Sequence, residues 1–338
     1  PARPRLMKLG DLSASAIRRR LRGDGLCLRT GPFNYRIRTP IDSVASGLGL
    51  LYEQVPLVDD SEYIDFTISM ARGRGLRRWF RPQVRFEVDG ETPFEPLPED
   101  HAYPMLEWAM NWCVSTQAHQ YLLLHSAVIE RDGRAVIMPA PPGSGKSTLC
   151  AALIHRGWRL MSDELALINP FDGRLVALAR PVSLKNESLD VIQRFEPSAV
   201  LNTPVGETFK GKVSHMKVPE WHLSRIHETA SARWVVFPQY QAGAEARLEP
   251  RPKADSLLEL AQNAFNYSLL GPSGFRTLGD LVDRSDCYRF TYSKLEQAMA
   301  VFERLCLDAQ TSGGDTGHGH AGSDKVPPPG RASDGNSP

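Results

Sequence analysis

Nine consecutive residues near the middle of the chain have the types and spacing needed to hold phosphate. They are Ala140-Pro141-Pro142-Gly143-Ser144-Gly145-Lys146-Ser147-Thr148, and they fit the pattern G-x-x-x-x-G-K-[ST] except that Ala140 replaces its first glycine. In this pattern glycines let backbone N–H groups close around phosphate oxygens, the lysine reaches the β- and γ-phosphates, and the serine hydroxyl binds Mg²⁺. We expect Gly143 to supply the bend that the missing glycine would give. The residues predicted to bind the nucleotide are Pro142, Gly143, Ser144, Gly145, Lys146, Ser147 and Thr148.

The segments on either side of this loop favour the same interpretation. Residues 134–138 are an apolar run typical of a buried strand, and residues 148–156 have the composition of a helix that Gly157 ends. A phosphate-binding loop requires a strand before it and a helix after it. The sequence therefore predicts a nucleotide site at this loop, with Lys146 as an exposed loop residue.

A histidine is predicted to lie beside the loop. Asp132-Gly133 separates two apolar runs and is typical of a two-residue hairpin turn. The register of such a hairpin places His125 opposite Ala140, the first residue of the loop. The alternative is a histidine that caps the strand or lies in the core.

Two acids follow the helix, at the end of the next apolar run. Residues 158–162 predict a strand, and Asp163 and Glu164 end it before a further apolar run begins. A right-handed crossover would place this strand parallel and adjacent to the strand before the loop, with the acids at the same crevice. A phosphate site needs a carboxylate there, to hold Mg²⁺ or to take a proton from an attacking hydroxyl. The alternative is an Asp-Glu turn that faces solvent.

These segments resemble the core of the HPr kinase/phosphorylase family. The resemblance rests on residues 124–127, the Asp132-Gly133 hairpin, the loop, and residues 155–160 and 162–164. The sequence resembles in particular the HPr-kinase-related kinase A group, which is found beside exosortase (PEP-CTERM) protein-sorting systems. The resemblance is strong over about residues 122–170, and a looser one extends through 180–186 and 209–216.

The resemblance implies a phosphoenolpyruvate-carboxykinase-like P-loop fold and a kinase reaction with ATP and Mg²⁺. It places His125, Asp163 and Glu164 in the site: Asp163 would be the base, and His125 would orient Asp163 or the phosphate. Lys146 would act on the transferred phosphate, while Ser147 and Glu164 would hold Mg²⁺. Glu164 stands where the family has a second Asp, and we find no clear copy of the glycine-rich segment that accompanies reverse dephosphorylation. The resemblance therefore implies kinase chemistry, and it does not extend to phosphorylase activity or to HPr as substrate.

The predicted fold class is α/β, a mixed sheet with flanking helices that follows a smaller α+β N-terminal region. The predicted divisions are 1–117 for that region, 118–307 for the kinase core with a C-terminal extension, and 308–338 for a disordered tail. The tail consists mostly of Gly, Ser, Asp and Pro, which cannot bury enough apolar surface to offset ordering entropy. Hydrophobic spacing predicts strands at 33–38, 63–70, 84–88 and 287–292 and helices at 105–118, 254–267 and 293–306.

Composition limits the class of protein. Of 338 residues 41% are hydrophobic and 23% charged, which is typical of a globular protein. A net charge of +1 gives no general attraction to nucleic acid or anionic membranes. The five cysteines are scattered without a C-x-x-C pair, which argues against a disulfide scaffold or zinc site and fits a reducing cytosol. No apolar run is long enough to span a membrane and no secretory signal is visible, so we expect a cytoplasmic protein, and a homo-oligomer is compatible with the sequence.

Two arginine clusters have weaker interpretations. Six arginines between Arg72 and Arg85 surround Trp79 and Phe80, an arrangement that can bind single-stranded nucleic acid. We favour a solvated hairpin loop, because no RNA-binding motif accompanies the cluster, and a surface for an acidic partner is the next option. The arginines of residues 18–22 are predicted to form the polar face of a short helix.

Three further residues are candidates for the site: Lys185, Lys212 and His215. Lys212 lies in a basic turn, 209–212, that could close over phosphates and neutralise migrating charge. An ordinary exposed lysine is the alternative.

The sequence therefore favours an ATP-dependent kinase that transfers the γ-phosphoryl group to a hydroxyl, in the first instance a Ser of a protein or peptide. Two other functions stay open. One is phosphorylation of a small molecule, or hydrolysis of ATP. The other is a non-catalytic ATP-binding module that reports nucleotide state to a secretion or exopolysaccharide apparatus.

Overall fold

In this computed structural model, the described residues form three β-sheets and helices that flank them. The structure describes residues 7–59, 61–73, 80, 82–141 and 143–312, with backbone alone over 309–312. The chain divides into a main unit that ends at Val301 and a second unit from Phe302 onward, of which the described part is helical as far as Ser312. Residues 313–338, most of the segment predicted to be disordered, lie outside the described residues.

The N-terminal region contains a five-stranded sheet. Its strands, in spatial order, are β1 (Leu26–Thr30), β2 (Phe33–Arg38), β3 (Phe66–Arg72), β4 (Gln83–Val88) and β5 (Leu97–Pro98). Buried and more exposed side chains alternate along β2, β3 and β4, as expected of strands with one face on a core. The strand predictions for this region are confirmed, with β3 beginning at Phe66 rather than at residue 63. Of the arginine cluster, residues 74–79 and 81 lie outside the described residues, and Arg72 pairs with Glu99.

Among the described residues of this region are the helices α1 (Ala14–Arg22), α2 (Asp42–Leu51) and α3 (Ala102–Gln117). The arginines of α1 are exposed while Ile17 and Leu21 are buried, which confirms the predicted polar face. The hydrophobic core of this region also takes in Leu123, Leu165 and Leu167 from later in the chain. The side chains of α3 are therefore fixed against the strands that carry the acid pair.

The phosphate-binding loop follows a strand of a mixed eight-stranded sheet. A separate three-stranded sheet is formed by strands that fall, in the sequence, between strands of the larger one. In chain order the strands are β6 (Leu122–Arg131), β7 (Arg134–Pro139), β8 (Arg159–Ser162), β9 (Leu165–Ile168), β10 (Arg174–Val176), β11 (Val182–Lys185), β12 (Val205–Thr208), β13 (Gly211–Met216), β14 (Ala230–Tyr240), β15 (Arg247–Pro250) and β16 (Asp286–Tyr292). The large sheet has the order β10-β9-β6-β7-β14-β16-β15, and its eighth strand, β8, pairs with β6. Strands β7, β14 and β16 are mutually parallel, and β11-β13-β12 form the small sheet. The predicted mixed α/β class is confirmed at this level.

The predicted hairpin is present. β6 and β7 pair antiparallel from Arg131↔Arg134 to Ser126↔Pro139, around a turn in which Asp132 and Gly133 have φ of 53° and 76°. Two positive φ angles define a turn that favours the Asp-Gly pair. The ladder ends one pair before His125 and Ala140, and the N–H of His125 donates to the carbonyl of Asn263 at 2.7 Å. The predicted register is confirmed as far as Ser126↔Pro139. The placement of His125 opposite Ala140, one residue beyond the ladder, stays a prediction.

The position of β8 also differs from the prediction. β8 and β9 lie end to end along β6, and both are antiparallel to it. β8 is therefore parallel to β7, as predicted, but β6 lies between the two strands. The prediction of adjacency fails because β6 and β14 already occupy both edges of β7.

The remaining helices follow the loop and close the chain. They are α4 (Lys146–Ile154), α5 (Glu187–Phe195), α6 (Glu220–Ser224), α7 (Lys253–Gln262), α8 (Tyr267–Leu270), α9 (Pro272–Arg284) and α10 (Leu295–Ser312). The helix predicted at 254–267 ends at Gln262, because Asn266 bonds through its side chain to the backbone of Tyr121 and Leu123 beside and in β6. Within the described part of the chain, every helix falls short of the length and apolar character that a membrane span requires.

Candidate active site at the phosphate-binding loop

The loop joins β7 to α4 and has the backbone that its glycines allow. Gly143 and Gly145 have φ of 87° and 85°, in the left-handed region that favours glycine. Ala140 is buried and has no positive φ, so a glycine is not needed at this position. The substitution of the first glycine in the pattern is therefore compatible with the loop. Pro142, one of the predicted nucleotide-binding residues, lies outside the described residues.

Two tyrosines support the loop from neighbouring strands. The N–H of Tyr240, at the end of β14, donates to the carbonyl of Ser144 at 2.9 Å. The hydroxyl of Tyr292, at the end of β16, donates to the carbonyl of Gly145 at 2.9 Å. Both strands are parallel to β7, so their carboxyl ends reach the loop at the same edge of the sheet. Sequence reasoning missed both tyrosines, because neither belongs to a motif.

Lys146 is buried rather than exposed, which corrects the prediction from sequence. Its side chain is 7% exposed, and its ammonium has no hydrogen-bond partner among the described residues. The hydroxyl of Ser144 is likewise buried without a partner within the described chain. A buried charge without hydrogen bonds is costly, and the first turn of α4 leaves backbone N–H groups without acceptors inside the helix. The loop therefore presents several donors suited to an anion.

The acid pair, Asp163 and Glu164, lies between the end of β8 and the start of β9. The chain bends at Asp163 and Glu164, so the two residues do not continue a strand. Asp163 is 5% exposed; one carboxylate oxygen accepts from the N–H of Ser183 at 3.2 Å and the other has no partner in the described chain. Glu164 is partly exposed, and its carboxylate lies 3.3 Å from Nε2 of His125. His125 therefore contacts Glu164. That it orients Asp163 or the phosphate stays a prediction.

The two carboxyl groups have opposite electrostatic environments. Burial, and next the negative charge of Glu164, raise the pKa of Asp163 to about 6, against smaller opposing effects of Lys146, Ser147 and Lys185. Burial also opposes ionisation of Glu164, but its hydrogen bond with His125 and the charges of Lys146 and Lys185 lower the pKa of Glu164 well below its usual value. Neighbouring acids with pKa values moved apart are suited to different roles, one as a proton acceptor and one as a permanent anion.

The three weaker candidates lie in different environments. Lys185, at the end of β11, lies close enough to the acid pair to lower both pKa values. Lys212 is exposed on β13. His215 is buried with neither ring nitrogen hydrogen-bonded in the described chain, and burial lowers its pKa to about 4. In the basic turn, the ammonium of Lys210 lies 5.0 Å from the ring centre of Trp108.

The site offers oxygen ligands of the kind that Mg²⁺ takes. The Ser147 hydroxyl and the Glu164 carboxylate are hard oxygen donors. Among the described residues no group of three or more His, Cys, Asp and Glu side chains comes together to enclose a metal ion. A magnesium ion here would therefore depend on one or two protein oxygens together with substrate phosphates, which is the usual arrangement for Mg²⁺ in phosphoryl transfer.

The two loop glycines give a matched pair of substitutions. A Cβ on Gly145 would lie 2.4 Å from the hydroxyl oxygen of Tyr292 and 3.1 Å from Cβ of Tyr240, whereas a Cβ on Gly143 would meet no atom within 4 Å. Both substitutions force a positive φ on alanine, which costs roughly 1–2 kcal/mol. We expect Gly145→Ala to lose more thermal stability and more ATP-induced stabilisation than Gly143→Ala. Differential scanning fluorimetry with and without Mg-ATP measures both; equal effects of the two would contradict the packing of the loop against Tyr292.

Comparison with known proteins finds partial matches. The model of the family described as "SynChlorMet cassette protein ScmC" matches residues 98–181, about a quarter of the chain, and this segment contains the loop and the acid pair. Among solved structures, the Hpr(Ser) kinase/phosphatase from Coxiella burnetii matches with 13% sequence identity and a TM-score of 0.26, over 56% of this chain and 95% of that one. No curated protein gives a significant match.

Proposed function

We propose that the protein is an ATP-dependent kinase that transfers the γ-phosphoryl group of Mg-ATP to a hydroxyl. The observation that carries the proposal is the convergence of three groups: a buried, unpartnered Lys146 ammonium at the start of α4, and the carboxyl groups of Asp163 and Glu164 within its electrostatic reach. A phosphate group would give Lys146 the acceptor that it lacks. The left-handed Gly143 and Gly145 and the unpartnered Ser144 hydroxyl support the same assignment.

Magnesium fits the oxygen donors of this site. We assign Ser147 and Glu164 as its protein ligands, because Glu164 stays ionised while Asp163 protonates more readily. When bound, Mg²⁺ would neutralise charge on the phosphate oxygens. His125 holds the Glu164 carboxylate by the contact at 3.3 Å, so its role in this proposal is to position a metal ligand.

Asp163 is assigned as the general base. The hydroxyl oxygen of the acceptor forms a bond to the γ-phosphorus, the bond from that phosphorus to the β–γ bridging oxygen breaks, and ADP leaves with the bridging oxygen. The hydroxyl proton passes to the carboxylate oxygen of Asp163 that has no partner in the described chain. Lys146 neutralises charge on the phosphates during transfer.

The acceptor and the biological setting belong to the proposal as well. A Ser of a protein or peptide, membership of the HPr-kinase-related kinase A group and association with an exosortase system rest on the sequence resemblance. A cytoplasmic location rests on the scattered cysteines, which fit a reducing cytosol.

Labelled ATP tests the proposed function directly. Purified protein is incubated with γ-labelled Mg-ATP and an extract of the source cells that retains both proteins and metabolites. Label on a protein or on a metabolite supports the kinase, label released only as free phosphate indicates an ATPase, and saturable ATP binding without turnover indicates a binding module. Lys146→Ala is the control for contaminating kinases.

The proposed base predicts a pH dependence. Because an ionised Asp163 is needed to accept the proton and its pKa is raised to about 6, kcat/KM should fall as pH drops through about 6 and level off above it. Glu164→Gln removes one of the two causes of the raised pKa, so the inflection should move to lower pH. Phosphate groups themselves titrate at about pH 6, but that titration would be the same in both proteins. An inflection that stays in place in Glu164→Gln would contradict Asp163 as the titrating base.

A further inference from the structure

The carboxyl end of β14 places an aromatic side chain beside the loop, and the proposed transfer of phosphate does not use it. Tyr240 ends β14 and Tyr292 ends β16, and the two residues pair directly across these parallel strands. The side chain of Tyr240 begins against the loop, because a Cβ on Gly145 would lie only 3.1 Å from Cβ of Tyr240. The N–H of Tyr240 donates to the carbonyl of Ser144 at 2.9 Å. The place of this side chain is therefore fixed relative to the loop.

The ring of Tyr240 is supported by a neighbour and is still open to solvent. It meets the ring of Tyr292 edge to face, with ring centres 5.9 Å apart and an angle of 77° between the ring planes. Tyr292 is itself buried, stacked on Phe290 and hydrogen-bonded to the loop, so it gives firm support. Tyr240 is nevertheless 52% exposed, and an edge-to-face contact covers at most one face of its ring. An aromatic ring held in this way offers an uncovered face on which another flat ring can stack.

The acid pair lies on the other side of the loop from Tyr240. The N–H of Ser126 on β6 donates to the carbonyl of Glu164 at 3.2 Å, so the acids border β6. The order across this edge of the sheet is therefore the acid pair, β6, β7 with the loop, and β14 with Tyr240. Because neighbouring strands lie about 4.8 Å apart, three strand spacings, or roughly 14 Å, separate the acids from Tyr240. The loop thus lies between an acidic and an aromatic environment.

This order sets the direction in which a nucleoside triphosphate can lie. Its γ-phosphate has to be beside Asp163 and Glu164 if these residues act as base and metal ligand, and Lys146 reaches the β- and γ-phosphates. A triphosphate that crosses the loop from the acids then has its α-phosphate on the side of β14. The nucleoside is attached to the α-phosphate, so it is directed toward the uncovered face of the Tyr240 ring.

We infer that the ring of Tyr240 is the surface on which the nucleobase of the bound nucleotide stacks. The inference rests on the proposed function, which gives the place of the γ-phosphate. Stacking of a base on an aromatic side chain changes affinity by about 5- to 150-fold. The loop and Lys146 bind the phosphates, whereas Tyr240 binds the base. The two contributions are therefore separable, because a ligand with three phosphates and no nucleoside keeps the first and lacks the second.

Calorimetric titration with Mg-ATP and with magnesium tripolyphosphate tests this separation. Tyr240→Leu keeps the backbone N–H that holds Ser144 and removes the ring. We expect it to raise Kd for ATP by at least about fivefold and to leave Kd for tripolyphosphate unchanged. Tyr240→Phe keeps the ring, so both dissociation constants should equal those of the parent.

Two other tyrosines supply controls for the titration. Tyr292→Phe removes the hydroxyl that donates to the carbonyl of Gly145, so any effect that it has through the loop should be the same for both ligands. Tyr63→Leu removes an exposed ring from the N-terminal region and should change the binding of neither ligand.

Tyr240→Trp tests contact with the base directly. The fluorescence that this substitution adds to that of the parent should be quenched by Mg-ATP and not by tripolyphosphate. Equal weakening of both ligands by Tyr240→Leu would mean that the ring only supports the loop, and unchanged binding of ATP would mean that the base lies elsewhere. Either result, or added fluorescence that ATP does not change, would overturn the inference. A parent protein that binds neither ligand would refute the proposed function together with the inference, whereas one that binds both and transfers no phosphate would refute the kinase alone.

Discussion

Asp163→Asn is expected to retain ATP binding and to lose phosphoryl transfer by about 10²–10⁴-fold, the usual contribution of a positioned general base. The substitution keeps the size of the side chain, and the amide oxygen can still accept from the N–H of Ser183, which now contacts the carboxylate at 3.2 Å. What it removes is the proton acceptor. Because the base accepts the proton of the acceptor during transfer, the fall should appear in kcat.

Glu164→Gln is the matched comparison for that variant. Glu164 is assigned to the metal, so its loss should raise the Mg²⁺ concentration needed for half-maximal activity and leave more of the maximal rate than Asp163→Asn does. Steady-state kinetics across a magnesium titration separate the two effects. Full activity of Asp163→Asn with its true acceptor would end the assignment of the base, and an unchanged magnesium requirement in Glu164→Gln would end that of the metal ligand.

The parts of the site that depend on local sequence could be predicted. The Asp132-Gly133 turn fixes the register of β6 against β7, because two positive φ angles in succession admit few other residues. The loop is similarly local: Gly143 and Gly145 adopt left-handed backbone, and Ala140 does not need to. These features follow from a few neighbouring residues and do not depend on how the sheet is assembled.

The parts of the site that depend on competition between distant segments could not be predicted from the sequence. The edge of β6 next to His125 is taken by residues after Gln262 rather than by β7, and β8 adjoins β6 rather than β7. Each part of a strand edge pairs with one other segment, and a pattern of apolar residues does not indicate which segment that is. For the same reason the roles of Tyr240 and Tyr292 are visible only in the folded sheet.

The environment of individual side chains was the least predictable feature. Lys146 was expected to be exposed because it belongs to a loop motif, yet its side chain lies buried close to the acid pair. The small pocket beside Asp163 joins Trp108 on α3 to Arg180 and His215, which are far apart in the sequence and share no motif. A wall built from several segments leaves no periodic signal in any of them.

Lys146→Ala is expected to weaken ATP binding by about 10- to 150-fold, which corresponds to the 1.5–3 kcal/mol of a hydrogen bond to a charged group. We expect little change in the stability of the apo protein, because removing the ammonium relieves a desolvated charge without hydrogen bonds in the described chain and also removes its attraction to the acid pair, two effects of opposite sign. Lys212→Ala is the matched control, since Lys212 is exposed. Its melting temperature with and without ATP should equal that of the parent.

The size of the expected change follows from the stabilisation that bound ATP gives to the folded protein. At an ATP concentration 100 times the dissociation constant of the parent, binding stabilises the folded state by about 2.7 kcal/mol, and a variant that binds 100-fold more weakly gains only about 0.4 kcal/mol. The shift in melting temperature with Mg-ATP should therefore nearly vanish in Lys146→Ala and persist in Lys212→Ala. If ATP stabilises Lys146→Ala as much as the parent, the buried lysine does not bind phosphate, and the assignment of the loop as the nucleotide site fails with it. If Lys146→Ala instead melts well below the parent without ligand, the ammonium has a structural partner in the apo protein, and the absence of one cannot be used as support for phosphate binding.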